Sequence, residues 1–427
     1  MRCCLALTLL AACGSSPPPA PPPQTRVTAA IVPAIENRSV DVLFLIDDSI
    51  NLDIETNLEA NFPVFLNVLA EHGLPSLHIG VATSDLGTSA VADAQPAPTV
   101  GTGPGMCAGS GKGGVLQTSG STLVAGRFID DEPAANGGRV TNYSGTLADA
   151  FTQIASVGAA GCGFEQTLEA IRKALDNNPA NVGFLRPEAN LAVVVLTDED
   201  DCSLEHNALV DPSRADLGPL QSFRCTRFGI TCDIGGLTPD EMNEPGEKEG
   251  CHSNEHSKYL THIADHEAFL HGLKPDPRMV LFAAIAGDPG PVDIELRAPI
   301  GSTHQIPALT HSCAYTDFSN STEVADPAVR IAELGARFER NVHATACRQD
   351  LSGAEAQIAR AIDSMMGSPC LTHDIALPAD CTASDDAGAV TDFSIVEDAA
   401  MCPEGQHLRL QRGGTPVGAT TVTCTPP

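Results

Sequence analysis

The sequence VDVLFLIDDSIN, from Val40 to Asn51, joins a strongly apolar run to a short cluster of acidic, hydroxyl and amide side chains. The apolar part, which ends at Ile46, is rich in β-forming residues and is bounded by polar ones. Such a run predicts a strand that is buried on both faces of a parallel sheet. Asp47, Ser49 and Asn51 follow at alternate positions directly after the strand. The stretch therefore predicts both a fold class and the place of a site.

Outward from this stretch, strand-like and helix-like segments alternate along the chain. The clearest further strand is LAVVVL at Leu191–Leu196, and two other apolar runs are LHIGVA at Leu77–Ala82 and MVLFAAIA at Met279–Ala286. Apolar residues at helical spacing predict helices near residues 58–69, 147–154, 168–175, 259–273, 331–338 and 352–366. A capping box of Ser352 with Glu355 is expected to open the last helix. The alternation predicts an α/β fold with a doubly wound, mostly parallel sheet.

A second acidic cluster, TDEDD at residues 197–201, follows the strand Leu191–Leu196. In a doubly wound sheet, ligands bind beyond the carboxyl ends of the strands, where the strand order reverses. We therefore expect Asp198 to approach Asp47, Ser49 and Asn51. Oxygen ligands of this kind suit Mg²⁺, Mn²⁺ or Ca²⁺. The alternative is that Ser49 or Asn51 caps the next helix and that the second cluster is a solvated loop.

These residues resemble the von Willebrand factor type A (vWA) domains. The metal-ion-dependent adhesion site of that family uses Asp-x-Ser-x-Ser after the first strand, a Thr before a later helix and an Asp after the fourth strand. Asp47 and Ser49 match the first two positions, Asn51 stands at the third, and Asp198 matches the last. The resemblance covers roughly residues 38–366 and is strongest to the variant found in bacterial surface lipoproteins.

The resemblance also implies further ligands and a function. The position of the family's Thr falls near Glu165, which would add a third carboxylate, with Thr167 as the alternative and Asp200 as a further candidate. The family's adhesion site implies a domain that binds a protein partner through a divalent cation and performs no catalysis. Ile50, Asn51 and Glu165 depart from the family pattern, so a second hypothesis is a structural envelope protein whose vWA-type domain has lost its metal.

Two insertions and a small terminal module are predicted around this domain. Residues 101–126 are rich in Gly and Ser, and residues 202–258 carry four cysteines together with much Gly, Pro and charge. No helical period appears after residue 366. We therefore predict a small Cys-rich β module over residues 367–427, with a hairpin between Leu408 and Cys424.

The N-terminal residues predict export and a lipid anchor. Residues 1–12 contain a basic residue and a short apolar run, as a signal peptide does, and the tetrapeptide LAAC ending at Cys13 resembles a bacterial lipobox. Cys13 would then carry the lipid, and residues 13–37 would form the anchor and a proline-rich linker. The expected location is the cell envelope, at the outer membrane or the cell surface, with the membrane contacted through the lipid.

Cysteine usage and charge agree with export. Of the 15 cysteines, Cys3 and Cys4 would leave with the signal and Cys13 would be lipidated, which leaves an even number that are widely spaced and form no C-x-x-C pair. This pattern predicts disulfides. The formal net charge of −30 argues against nucleic acid as a partner, because nucleic acid attracts basic surfaces.

A third hypothesis, a zinc hydrolase, rests on one predicted helix. His262 and His266 lie one helical turn apart, a spacing that can suit zinc. However, Ile263, His266 and Leu270 share one helical face, so a packed histidine is the simpler interpretation of His266.

Overall fold

The computed structural model describes residues 26–49, 53–299, 303–317, 320–403 and 405–427. The predicted signal peptide, the lipidation site Cys13, the proline-rich stretch and the candidate ligand Asn51 lie outside these residues. In the part of the chain that is described, no helix is long and apolar enough to cross a membrane.

The described residues form strands and helices in alternation over most of the chain. The helices are α1 (Asp53–Leu69), α2 (Leu147–Ala155), α3 (Thr167–Leu175), α4 (Phe223–Gly229), α5 (Ile263–Gly272), α6 (Val329–Ala336) and α7 (Ser352–Met366). The strands are β1 (Val27–Val32), β2 (Ser39–Ile46), β3 (Ser76–Thr83), β4 (Ile129–Pro133), β5 (Arg139–Thr141), β6 (Asn190–Leu196), β7 (Ile230–Ile234), β8 (Gly246–Ser253), β9 (Val280–Ala286), β10 (Val292–Arg297), β11 (Ile306–Leu309), β12 (Cys313–Thr316), β13 (Thr322–Ala325), β14 (Asn341–Thr345), β15 (Cys381–Asp385), β16 (Gly388–Val390), β17 (Phe393–Glu397), β18 (Leu408–Arg412) and β19 (Thr420–Cys424).

The central feature is a seven-stranded sheet of order β14–β9–β6–β2–β3–β4–β5. The pairs from β14 to β3 are parallel, and β4 and β5 continue the sheet in antiparallel fashion. The chain runs outward from β2 to β3 on one side, and from β6 to β9 and β14 on the other. The α/β class and the mostly parallel sheet predicted from the sequence are therefore confirmed.

Helices cover both faces of this sheet because successive apolar side chains of its strands point to opposite faces. Phe44 of β2 packs with Phe62 and Phe65 of α1 and with Phe151 of α2, in a core to which α7 also contributes. The opposite face of the same strands packs on α3, α5 and α6. Burial of the β2 side chains on both faces explains the continuous apolar run over residues 42–46 of that strand.

The region after β6 is larger than the insertion predicted over residues 202–258. It contains α4, β7 and β8, and the later strands β10 and β11 join β7 and β8 in a separate sheet of order β11–β10–β8–β7. The pair β12–β13 follows outside the seven-stranded sheet. These later strands were not predicted, because they are short and partly exposed and so lack a continuous apolar run.

The terminal β module differs from the prediction in its pairing. The expected hairpin between Leu408 and Cys424 is wrong: β18 pairs with β17, whereas β19 lies between β1 and β15. The strand β1 falls within residues 13–37, which were predicted as anchor and linker, so Val27–Val32 belong to the folded part. Thr28 pairs with Thr423, although almost the whole sequence lies between them. No local sequence signal predicts such a contact.

The predicted disulfides are present, and the structure adds their pairing. The six bonds are Cys107–Cys162, Cys202–Cys225, Cys232–Cys251, Cys313–Cys347, Cys370–Cys402 and Cys381–Cys424. Each joins residues in loops, insertions or the terminal module, and none joins two strands of the seven-stranded sheet. Disulfides in this number are typical of proteins that fold outside the reducing cytosol.

Candidate functional site

The loops that follow β2 and β6 meet at the point where the strand order reverses. The Thr197 hydroxyl donates to Asp47 Oδ2 over 2.8 Å, and the Asp47 backbone N–H donates to the Leu196 carbonyl over 2.9 Å. Asp47 Oδ1 accepts from the Ser49 backbone N–H at 2.9 Å, which turns the chain so that Ser49 follows on the same side. Asp47 and the β6 loop therefore share one crevice, as the sequence predicts.

A buried carboxyl group from the loop before α3 completes the cluster. Glu165 is 1% exposed, and it shares a hydrogen bond with Glu199 of the β6 loop. Burial raises the pKa of Glu165 well above its usual range, and the charges of Glu199 and Asp47 raise it further. A proton shared between the two carboxyl groups would reduce their repulsion.

Further acidic residues surround Glu199. Burial raises the pKa of Glu199, and the charges of Asp326, Asp198 and Asp47 add to this effect. The Asp326 backbone N–H donates to the Asp198 carbonyl over 2.7 Å, which holds the segment after β13 against the β6 loop. We call Asp47, Glu165, Asp198, Glu199 and Asp326 the acidic crevice. Such a concentration of carboxyl groups is stable only if protons or cations reduce its charge.

The loop that carries Glu165 packs closely on the β2 loop. The Gly161 backbone N–H donates to the Asp48 carbonyl over 2.7 Å, and a Cβ at Gly161 would collide with the Asp48 carboxylate. Burial raises the pKa of Asp48 to about 6, even though Lys112 Nζ lies 2.6 Å from its Oδ2. Gly161 and the disulfide at Cys162 thus fix the approach of Glu165 to Asp47.

A buried ion pair supports the β6 loop from behind. Arg330 of α6 is 1% exposed, and its guanidinium lies 3.0 Å from Asp201 Oδ2. Asp201 Oδ1 accepts from the Leu168 backbone N–H at 2.9 Å, so Asp201 also holds the start of α3. The acidic loop and the helix that follows Glu165 are therefore joined through one carboxylate.

The remaining predicted ligands have different environments. Both oxygens of Asp200 accept from the Arg330 backbone N–H, at 3.0 and 3.1 Å, which holds Asp200 at the start of α6. Thr167 is the first residue of α3, and its buried hydroxyl has no hydrogen-bond partner among the described residues. Thr197 and Glu199 were not predicted as ligands, although they belong to the acidic loop at residues 197–201. Asp326 lies far along the chain, and nothing in its local sequence indicates a place in the site.

The histidines of the predicted zinc helix do not converge. His266 is buried, its Nε2 lies 2.7 Å from the Thr261 hydroxyl, and burial lowers its pKa to about 4. His262 stands at the N-terminus of α5 with its Nε2 3.2 Å from the Ser257 carbonyl. Their separate partners support the interpretation of His266 as a packed histidine.

A cavity of about 160 Å³ opens beside the acidic crevice. Glu165, Glu199 and Asp326 line it together with Phe223 of α4 and Arg297 of β10. Carboxyl groups of the crevice therefore share this cavity with an aromatic and a cationic side chain.

No protein-family model and no curated relative matches the sequence. The chain is similar to solved structures at low identity. The conserved hypothetical protein BatB from Bacteroides thetaiotaomicron is 11% identical over 76% of this chain and 98% of its own, with a TM-score of 0.28. The pilus adhesin RrgA from Streptococcus pneumoniae is 11% identical over 93% of this chain and 58% of its own, with a TM-score of 0.31.

A von Willebrand factor type A structure from Catenulispora acidiphila is 9% identical over 93% of this chain and 62% of its own, with a TM-score of 0.28. The chain thus spans about three-fifths of this structure and of the pilus adhesin. Identities and TM-scores this low carry no argument. The fold is described by its own strand order and by the junction of the β2 and β6 loops.

Proposed function

We propose that this chain is an exported, lipid-anchored envelope protein whose vWA-type domain binds a protein partner through a divalent cation. The observation that carries the proposal is the junction of two strand ends: Asp47 after β2 and Thr197 after β6 are hydrogen bonded, and buried Glu165 lies beside them. The lipid anchor rests on the sequence around Cys13, and the six disulfides favour an oxidising compartment.

The side chains of the acidic crevice fit a divalent cation. Asp47, Ser49, Asn51 and Asp198 would hold the ion, with Glu165 or Thr167 adding an oxygen. Glu165 Oε1 and Thr167 Oγ1 are both buried without a hydrogen-bond partner among the described residues, and unsatisfied buried oxygens are energetically unfavourable. A cation of the Mg²⁺, Mn²⁺ or Ca²⁺ class would satisfy such oxygens and displace the proton shared by Glu165 and Glu199.

The cation would supply one chemical property, a positive centre that attracts an anionic group of the partner. The chain's own residues would shape the approach to it. Arg297 in the cavity wall favours an acidic side chain of the partner, and Phe223 offers an apolar contact beside it. An acidic residue on an exposed loop of a protein partner suits this combination.

We predict that titration calorimetry of the oxidised, chelator-treated protein will detect saturable binding of Mg²⁺, Mn²⁺ or Ca²⁺, and that Asp47→Ala will abolish it. The loss follows because Asp47 is the carboxylate at the junction of both loops. A matched control is Asp265→Ala, which removes an exposed carboxylate on α5 and is expected to leave the titration unchanged.

The same titration separates the proposal from the second hypothesis. If neither the wild type nor the Asp265→Ala variant binds any of the three ions, the acidic crevice is kept stable by protons, and the vWA-type domain is a metal-free structural element. Binding that persists in Asp47→Ala would place the ion elsewhere and would also contradict the proposal.

A further inference from the structure

A second group of candidate ligands lies at the other end of the sheet, on β3 and β4. His78 and Asp130 are directly opposite each other in the antiparallel pair, and Glu132 stands two residues further along β4 on the same face. His78 Nε2 lies 3.5 Å from Asp130 Oδ1 and 3.9 Å from Glu132 Oε1. One ligand atom from each residue therefore converges on a common point.

The orientation of the imidazole makes this convergence significant. His78 is 5% exposed, and its Nδ1 lies 2.8 Å from the Phe184 carbonyl, which can only accept a hydrogen bond. Nδ1 must therefore carry the proton, and in the neutral ring the lone pair of Nε2 faces the two carboxylates. Asp130 Oδ1 is also buried and has no hydrogen-bond partner among the described residues. Nε2 and Asp130 Oδ1 thus face each other as two acceptors, an arrangement that a cation would stabilise.

The surroundings hold these side chains in place. A backbone carbonyl that fixes the distal nitrogen of a histidine is a common companion of metal ligation. The Asn142 side chain accepts from the Asp130 backbone N–H at 2.8 Å, and Arg186 donates to Glu132 Oε1 over 3.2 Å. The Phe128 ring packs 4.9 Å from the imidazole centre and provides an apolar wall.

Nearby basic residues are occupied with a different carboxylate. Asp41 of β2 is the cross-strand neighbour of His78 on its other side and is fully buried. Arg186 Nε donates to Asp41 Oδ1 over 2.7 Å, and Lys274 Nζ lies 3.6 Å from Asp41 Oδ2. Asp41 is therefore paired with two basic side chains, whereas Arg186 makes one hydrogen bond to Glu132 among the described residues.

We propose that His78, Asp130 and Glu132 bind a zinc-class ion, with a fourth position open to water or to a side chain of a partner. One imidazole and two carboxylates suit Zn²⁺. The imidazole nitrogen favours an ion of the zinc class over Mg²⁺ or Ca²⁺, which take oxygen ligands.

This site is independent of the acidic crevice. His78 is in register with Asp41, six residues before Asp47 along β2, which corresponds to about 20 Å of extended strand. The two sites also differ in chemistry, because the crevice offers only oxygen ligands. An ion on β3 and β4 would pin the antiparallel edge of the sheet, and it would do so whether or not the crevice binds a cation.

The experiment is a Zn²⁺ titration of the oxidised, chelator-treated protein in competition with a chromophoric chelator. We expect a saturable Zn²⁺ site whose affinity Asp130→Asn and Glu132→Gln each weaken at least about tenfold, because each removes a ligand charge. The matched control is Glu247→Gln, an exposed glutamate on β8, which should bind as the wild type does. Circular dichroism of each variant verifies folding.

Two further measurements make the outcome decisive. Co²⁺ in place of Zn²⁺ should give the intense visible absorption of a tetrahedral site in the wild type and lose it in Glu132→Gln. Asp47→Ala should retain full Zn²⁺ affinity, so that failure of the adhesion-type site and failure of this one remain distinguishable. Absence of Zn²⁺ binding by the wild type would overturn the proposal and leave an ordinary ion-pair cluster. Wild-type Zn²⁺ affinity in both Asp130→Asn and Glu132→Gln would do the same.

Discussion

Replacement of Arg330 by Met is expected to lower the free energy of unfolding by about 3–5 kcal/mol, the range for breaking a buried ion pair from one side. Asp201, which is 1% exposed, would lose its cationic partner. The hydrogen bonds that it accepts from Leu168 and Ser203 would not replace the lost cation. Urea denaturation of the oxidised protein, followed by circular dichroism, measures the change.

The effect extends beyond one pair because the guanidinium joins several segments. It donates to the Ser253 hydroxyl over 2.9 Å and to the Thr261 carbonyl over 2.7 Å. Arg330 therefore connects the β6 loop, the end of β8 and the segment before α5. Loss of these contacts should also loosen the insertion against the sheet, which hydrogen exchange of the β8 amides would detect.

Arg337, which directly follows α6, supplies the control. Its partly exposed side chain pairs with Glu267 and Glu333, so Arg337→Met should change stability by less than about 1 kcal/mol. The double variant Arg330→Met with Asp201→Asn tests the mechanism, because removal of the carboxylate charge should recover part of the loss. Equal stability of Arg330→Met and Arg337→Met would contradict the expected role of the buried pair.

Glu355→Gln is expected to stabilise the protein at pH 7 by about 2–3 kcal/mol. Glu355 of α7 is 2% exposed, and neither carboxylate oxygen has a hydrogen-bond partner among the described residues. Burial, reinforced by the charge of Asp350, raises its pKa from 4.5 to about 9. Holding a proton at pH 7 against an ordinary value of 4.5 corresponds to about 3 kcal/mol, and glutamine avoids most of this penalty.

The pH dependence has a definite sign. The folded state keeps the proton of Glu355 up to about pH 9, whereas the unfolded state releases it above pH 4.5. The contribution of protonated Glu355 to the free energy of unfolding is therefore fully present below pH 4.5, and it is lost as the pH rises toward 9. Urea denaturation at pH 4.5 and pH 8 should show a large difference between wild type and Glu355→Gln only at the higher pH. Exposed Glu247→Gln should show none, and a gap independent of pH would contradict the assignment.

Glu355 also illustrates where sequence reasoning fails. Ser352 and Glu355 have the spacing of a capping box, but that prediction is wrong because the Ser352 backbone N–H bonds to Asp350 and Glu355 points inward. Glu355, Ile358 and Ile362 lie on one face of α7 and are buried there. Packing of α7 against the core buries Glu355, and the capping-box motif, which spans only four residues, contains no information about that packing.

The sheet and the junction of its loops were predictable because both follow from local patterns. The runs that became β2 and β6 are buried on both faces, and their acidic ends had to meet if the strands were neighbours in a doubly wound sheet. Arg330, Asp326 and β1 were not predictable in the same way. Each acts through a contact with a residue far away in the chain, and no spacing or period in the sequence marks such a contact.

The placement of the six disulfides has a consequence for the order in which the molecule matures. Cys162 lies three residues before Glu165, and Cys202 directly follows Asp201, so two cross-links border the loops of the acidic crevice. If the proposed cation site is correct, its ligands would be fixed in place only after these thiols are oxidised, because both loops that carry them are bordered by a disulfide.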